Sequence, residues 1–194
     1  MTRRVQTIAP DYFDALYTAD PDPWRFRSSD YEADKYAATL AALSQPRYRR
    51  ALEVGCSIGV FTRQLAARCV RLLAIDASAV ALESARLACS CLDNIEFELG
   101  AVPAQFPSGS FDLIVLSEVI YYLDENDLAA LAARCAQALS PEGEIVACHW
   151  LGETDYPLSG AVASDMFARE MVKRLPVRRV LHDQEYRLDR LSQS

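Results

Sequence analysis

Glu53, one intervening residue, and then Gly55-Cys56-Ser57-Ile58-Gly59 form the stretch of this chain whose residue types and spacing bear most directly on chemistry. Glycines let a backbone turn sharply and let a ligand reach the main chain with no Cβ in the way. A nucleotide cofactor needs such a turn. A dinucleotide fingerprint, however, requires glycine at the middle position so that pyrophosphate can rest on the following helix, and Ser57 stands there. Glu53 would repel a phosphate, whereas a carboxylate suits a cationic ammonium such as that on the methionyl part of S-adenosylmethionine. A Walker A loop is excluded because no Lys-Ser/Thr pair follows the glycines. Asp76, about twenty residues further on, stands where an acid accepts hydrogen bonds from both ribose hydroxyls. It indicates a nucleoside without saying which. The plainer alternative, an α/β turn with a helix cap, has to bring Glu53, Gly55, Gly59 and Asp76 to this joint spacing by chance.

Strand ends and helix starts must hold these residues, and the hydrophobic pattern supplies both. From about residue 50, short apolar runs alternate with longer amphipathic stretches, the mark of βαβ units around a mostly parallel sheet. Strands are expected at 50–54, at 71–75 closed by Asp76, at 95–99, at 111–116 and at 144–149. The fourth is nearly all apolar, as a central strand covered on both faces should be. Helices are expected at 58–68, at 79–90 with Ser78 as cap, and at 128–139 opened by Asp124 and Asp127. Pro103, Pro107 and Gly109 forbid a long element between the third and fourth strands, and Ser140-Pro141-Glu142-Gly143 reads as a turn. Beyond the core, a helix over 160–174 precedes strands at 177–182 and 186–191, whose Asp183-Gln184-Glu185 connection allows an antiparallel hairpin at the sheet edge. Ahead of it, 11–17 and 30–43 read as helices flanking the proline-rich, aromatic stretch from Asp20 to Phe26. The expected organisation is one domain over 1–194: a helical lid at 1–48, a cofactor core at 50–150, and a terminal helix and hairpin at 151–194.

Composition narrows the partners. A chain of 194 residues with 51% hydrophobic content buries one substantial core. Its formal net charge of −7 argues against nucleic acid and favours a small-molecule partner. None of the six cysteines forms a C-x-x-C pair, no metal site is expected, and the start shows no secretory apolar run. Reduced thiols in a cytoplasmic protein are the expectation, with no membrane segment. Oligomeric state is not legible.

Four blocks, Leu52 to Gly59, Ala74-Ile75-Asp76, Ser110 to Val115 and Leu139 to Glu144, resemble the class I S-adenosylmethionine-dependent methyltransferases in order and spacing. The resemblance implies an α/β, doubly wound, mostly parallel seven-stranded sheet of Rossmann-like type with an antiparallel C-terminal hairpin. It also implies S-adenosyl-L-methionine as donor and S-adenosyl-L-homocysteine as product. Glu53 and Gly55 then face the methionyl part, and Cys56, Ser57 and Gly59 of the same loop also bind the cofactor. Asp76 holds the ribose, and Ala101 and Val102 lie near adenine. Two positions depart from the pattern: Ser57 replaces a glycine, and Gly100-Ala101 lacks the acid that often meets the adenine amino group. A narrower likeness covers nearly the whole chain. Asp22-Pro23-Trp24, Ser29 to Tyr36, Ser117 to Leu123, His149-Trp150 and Asp155 to Leu158 resemble the NodS group, which comprises nodulation methyltransferases that N-methylate the amine of a deacetylated chitooligosaccharide, and relatives of other substrate.

Ligands of doubly wound sheets lie beyond the carboxyl ends of the strands, so Ser117-Glu118 and His149-Trp150 should flank the reacting methyl. Transfer to an amine is an in-line displacement that needs positioning and an acceptor for the proton lost. Glu118 or His149 can take that proton, and Tyr121 or Tyr122 can hydrogen-bond the amine or stack on a sugar. The catalytic expectation is thus His149, Glu118 and Tyr122, with Ser117 at the cofactor. Trp24, Tyr31 and Lys35 are expected to close over it as a lid. Each has a bland counterpart: Glu118 as a turn cap, His149 as a structural histidine, one of the tyrosines as core, Trp24 and Tyr31 as anchors of the N-terminal helices. Transfer to a hydroxyl or carbon, and a non-catalytic binding subunit, remain as alternatives.

Overall fold

The strands form because β-branched and aliphatic residues recur with the two-residue period of a pleated surface, and in β4 (Phe111–Ser117) that period sorts the core into two layers. Leu113 and Val115 pack with the N-terminal helices and with Phe61 and Leu65 of the helix after the glycine turn, while Ile114 and Leu116 pack against the helices of the opposite face. The computed structural model of the chain describes residues 3–172, 175–182 and 185–192.

Among the described residues the sheet has seven strands in the order β3-β2-β1-β4-β5-β7-β6. β1 (Tyr48–Val54), β2 (Cys69–Asp76), β3 (Ile95–Leu99), β4 and β5 (Leu139–Trp150) run parallel. β6 (Val177–His182) and β7 (Tyr186–Ser192) are antiparallel, with β7 seated between β5 and β6. The expected hairpin is therefore present at the edge; Asp183 and Gln184 of its connection lie outside the described residues. From β1 the chain winds outward to β2 and β3, then returns to β1's other side as β4. That reversal opens a crevice at the carboxyl ends of β1 and β4.

Helix ends follow local chemistry. α1 (Pro10–Ala19) starts on a proline, whose missing N–H costs nothing in the first turn. α2 (Asp30–Ala42) is capped by Ser29, which accepts the Glu32 N–H. α3 (Val60–Leu65) starts later than the sequence pattern suggests because Gly59 is left-handed at φ +81°, and residues 66–68 tighten into a 3₁₀ turn. Ser78 caps α4 (Ala79–Ala88), and Asp124 caps α5 (Glu125–Ala138) through the Asn126 and Asp127 N–H groups. α6 (Gly160–Met171) is capped by Ser159; its expected end at 173–174 lies outside the described residues. The turn expected at 140–143 is absorbed into β5 as an irregularity: Phe111 pairs with Leu139 and Leu113 with Glu144, so the four residues are looped out of register.

All six cysteines are free, and only Cys91 is exposed. No helix among the described residues is long and apolar enough to cross a membrane, and no cluster of three metal-ligating side chains is found among them.

Candidate active site

The crevice deepens into a cavity of about 490 Å³ lined from the ends of β1, β2 and β4, from α1 and α2, and from the segment after β3. Its walls form two unlike halves.

The first half is built on the turn after β1. Gly55 sits at φ +78°, and a Cβ there would collide with the Val119 side chain, so backbone strain and space both select glycine. The Gly55 and Cys56 N–H groups donate to the Ile75 carbonyl at 2.8 and 3.0 Å, which ties the turn to β2. Glu53 is buried, its Oε2 has no hydrogen-bond partner, and burial pushes its carboxyl up to about 8. Asp76 is held by its own chain: Oδ2 accepts the Ser57 N–H at 2.7 Å and Oδ1 the Ser78 N–H at 2.9 Å. Burial raises Asp76 to about 6 against those hydrogen bonds. Across the cavity floor lie Ala101 and Val102; the Ala101 N–H is taken by Gln105 Oε1 at 2.9 Å.

The second half surrounds Glu118, a non-glycine residue at φ +57° directly after β4. Its Oε1 accepts from Lys35 Nζ at 2.5 Å, and its Oε2 accepts from the Tyr121 hydroxyl at 2.7 Å and the Trp150 N–H at 2.9 Å. Burial works against the charge, yet Lys35 and these hydrogen bonds hold the Glu118 carboxyl below the usual carboxylate range. Lys35 is 1% exposed, also pairs with Glu32 at 2.8 Å, and lies 5.1 Å from the Tyr31 ring centroid. Burial opposes its charge as well, and the two carboxylates more than offset that, raising its pKa. The Tyr31 hydroxyl is buried without a partner. Aromatic rings close the wall: Tyr121 stacks on Tyr156 at 5.5 Å, and Tyr122 meets Phe13 and Tyr156 edge-on at 4.9 and 4.6 Å.

Of the residues singled out in the sequence, Glu53, Gly55, Cys56, Ser57, Asp76, Ala101, Val102, Ser117, Glu118, Tyr122, Trp24 and Tyr31 all line this one cavity. Gly59 and His149 do not. Gly59 turns the chain into α3, with the Ala85 backbone 3.0 Å from where its Cβ would be. His149 is fully buried behind the wall: its Nε2 accepts the Ile120 N–H at 3.3 Å, its ring meets Tyr121 edge-on, and burial lowers it to about 4. Of the adjacent tyrosines 121 and 122, Tyr121 is buried in the core, as one of them was expected to be, and both line the cavity. Sequence reading passed over Phe13 and Tyr17, although their four-residue spacing on α1 puts them on one helix face. No local signal links Lys35 to Glu118, which are 83 positions apart.

The family model described as Nodulation protein S (NodS) matches residues 15–150. A "Nodulation protein S" of Rhizobium tropici is 35% identical over 130 residues, covering 66% of this chain and 55% of its own length; the chain thus spans little more than half the length of that curated relative. A crystal structure of a Pseudomonas syringae protein is 38% identical, with a TM-score of 0.71 over 84% of this chain and 98% of its own. The crystal structure of N-methyltransferase NodS from Bradyrhizobium japonicum in complex with S-adenosyl-L-homocysteine is 23% identical, with a TM-score of 0.80 over 95% of this chain and 98% of its own.

Proposed function

Because the chain belongs to the Nodulation protein S (NodS) family, we propose that it is an S-adenosylmethionine-dependent methyltransferase acting on an amine, with the free amino group of a deacetylated chitooligosaccharide as the leading acceptor. The observation that carries the donor half of this reading is Glu53. A buried carboxyl with one oxygen unpartnered, on a residue that lines a cavity, is held in its protonated form by burial, and ionising it is costly unless a ligand brings positive charge. The ammonium of a methionyl group is such a charge. Gly55 gives main-chain access beside it, Asp76 has acceptor capacity left for ribose hydroxyls, and Ala101 and Val102 form an apolar floor for adenine.

Bound there, the donor supplies a methyl on a sulfonium, open to in-line displacement. The remaining work falls to the chain. Tyr31 and Tyr122 orient the acceptor amine and Glu118 accepts a hydrogen bond from it; the positive charge of the sulfonium leaves on the methylated amine as an ammonium, so the step asks for positioning and no strong base. Trp24 and Tyr31, with the segment 7–10 that lines the same cavity, form the lid that excludes water. His149 acts through Tyr121 and the Ile120 backbone, as a positioning residue, because a buried imidazole lowered to about 4 is a poor proton acceptor at neutral pH. That favours an amine over an oxygen acceptor, which needs a stronger base.

Titration with S-adenosylhomocysteine by calorimetry, followed by a screen of labelled S-adenosylmethionine against glucosamine oligomers, tests the proposal. Binding that is weakened in Asp76→Ala, with label moved to the amine, is expected. Absence of binding with Asp76→Ala changing nothing sinks the donor reading; label on hydroxyl or carbon acceptors alone replaces the amine.

A further inference from the structure

Ser57 holds a left-handed backbone, φ +51°, that an L side chain adopts at a cost and a glycine does not. Its side chain finds a partner outside the loop. The Ser57 hydroxyl lies 2.5 Å from the Tyr17 hydroxyl on α1. Three residues earlier on the same helix face, Asp14 Oδ1 accepts from the Ser78 hydroxyl at 2.6 Å. Tyr17 is 5% exposed, packs with Ile58 and Ala81, and meets Trp24 edge-on at 5.6 Å. Between the two serines stands Asp76, whose oxygens accept the backbone N–H groups of Ser57 and Ser78. α1 therefore grips by its side chains the two residues whose main chains fix the Asp76 carboxylate.

We propose that Tyr17 and Asp14 are positioning residues: a two-point clasp from α1 that fixes Ser57 and Ser78, through them Asp76, and so sets how long the methyl donor or its demethylated product stays bound. The identity of that ligand rests on the methyltransferase reading above; the clasp is a property of the protein alone. Ser57 separates a clasped loop from a free-standing one. For a free-standing cofactor loop, Ser57→Gly relieves strain and should slow ligand release. With the clasp, the same change removes the hydroxyl that holds α1 and speeds release in spite of the relief.

Trp24 and Trp150 are the chain's two tryptophans and both line the cavity, so their fluorescence reports release of S-adenosylhomocysteine in a stopped-flow experiment. Tyr17→Phe and Ser57→Gly should each speed release roughly threefold to tenfold, the effect of one buried hydrogen bond. The double variant should be no faster than either single one, because both remove the same contact. Asp14→Ala should speed release independently and add to them. Slower release from Ser57→Gly, or equal acceleration by Tyr17→Phe with and without the Ser57→Gly change, overturns the clasp. Should the unmodified chain bind no S-adenosylhomocysteine, the donor reading fails instead. Amide exchange of Pro10–Ala19 in the ligand-free protein then decides the clasp: lost protection in Tyr17→Phe supports it, and unchanged protection refutes it.

Discussion

Two glutamates in one cavity wall are driven in opposite directions by their surroundings. Glu53, in the half built on the turn after β1 and proposed to hold the donor (the donor half), is buried with an oxygen unpartnered and is pushed up to about 8. Glu118, in the second half, proposed to take the acceptor (the acceptor half), accepts from Lys35, Tyr121 and the Trp150 backbone and is held below its ordinary value. The difference teaches what each half waits for. The donor half lacks a positive charge that a ligand must bring, whereas the acceptor half carries its own in Lys35. On the proposed reading, an acceptor amine would enter a site whose carboxylate is already compensated, which would help keep it neutral and nucleophilic.

The sharpest way to break this contrast is to remove the internal cation. Lys35→Met leaves Glu118 buried and unpaired, and urea unfolding should show a loss of about 3–5 kcal/mol. Adding Glu118→Gln should recover part of it; a single Lys35→Met as stable as the unmodified chain would show the pair to be incidental. Next in size, Glu53→Gln should weaken S-adenosylhomocysteine binding about 10- to 100-fold in calorimetry, the effect of one charged hydrogen bond.

The same glutamate fixes a pH dependence. A carboxyl raised from 4.5 to about 8 keeps its proton in the folded chain where the unfolded chain has lost it. Its contribution to ligand-free stability is therefore full below pH 4.5 and lost as pH rises through about 8. Affinity for the cationic methionyl group runs the other way, rising as Glu53 ionises, and Glu53→Gln should flatten both curves. Glu118 has the opposite sign: its contribution is present above its unfolded value and is lost as pH falls through the lower folded one.

Gly55→Ala comes next, expected to cost about 1–2 kcal/mol from the left-handed backbone alone, with added loss from the Val119 collision; thermal denaturation measures it. The smallest effect is expected for His149→Gln. One buried hydrogen bond of about 1 kcal/mol should be lost from stability, with the affinity for S-adenosylhomocysteine unchanged. A large fall in methyl transfer at unchanged stability would instead restore His149 as the base.

The donor half was the more legible of the two because its parts are close in sequence. A strand, a glycine turn and a helix are set by residues within a few positions of one another, and period-two and helical patterns place Glu53, Gly55 and Asp76 at the ends of β1 and β2. The acceptor half is assembled from α1, α2, the residues after β4 and the segment after β5. Its aromatic members could be nominated singly, and His149 shows the limit of that: residence at a strand's carboxyl end does not say which way the side chain points. Here it points behind the wall, while its neighbour Trp150 lines the cavity.

By itself the sequence determined the alternation of strands and helices, the caps at Ser78 and Asp124, the edge hairpin and the acid-glycine-acid frame, because each follows from local backbone preference or hydrophobic period. Tertiary structure alone decided which charges are compensated. Lys35 meets Glu118, Tyr17 meets Ser57, and Glu53 keeps an oxygen without a partner, and such outcomes depend on how α1 and α2 fold over the sheet, a long-range packing result that no local pattern encodes.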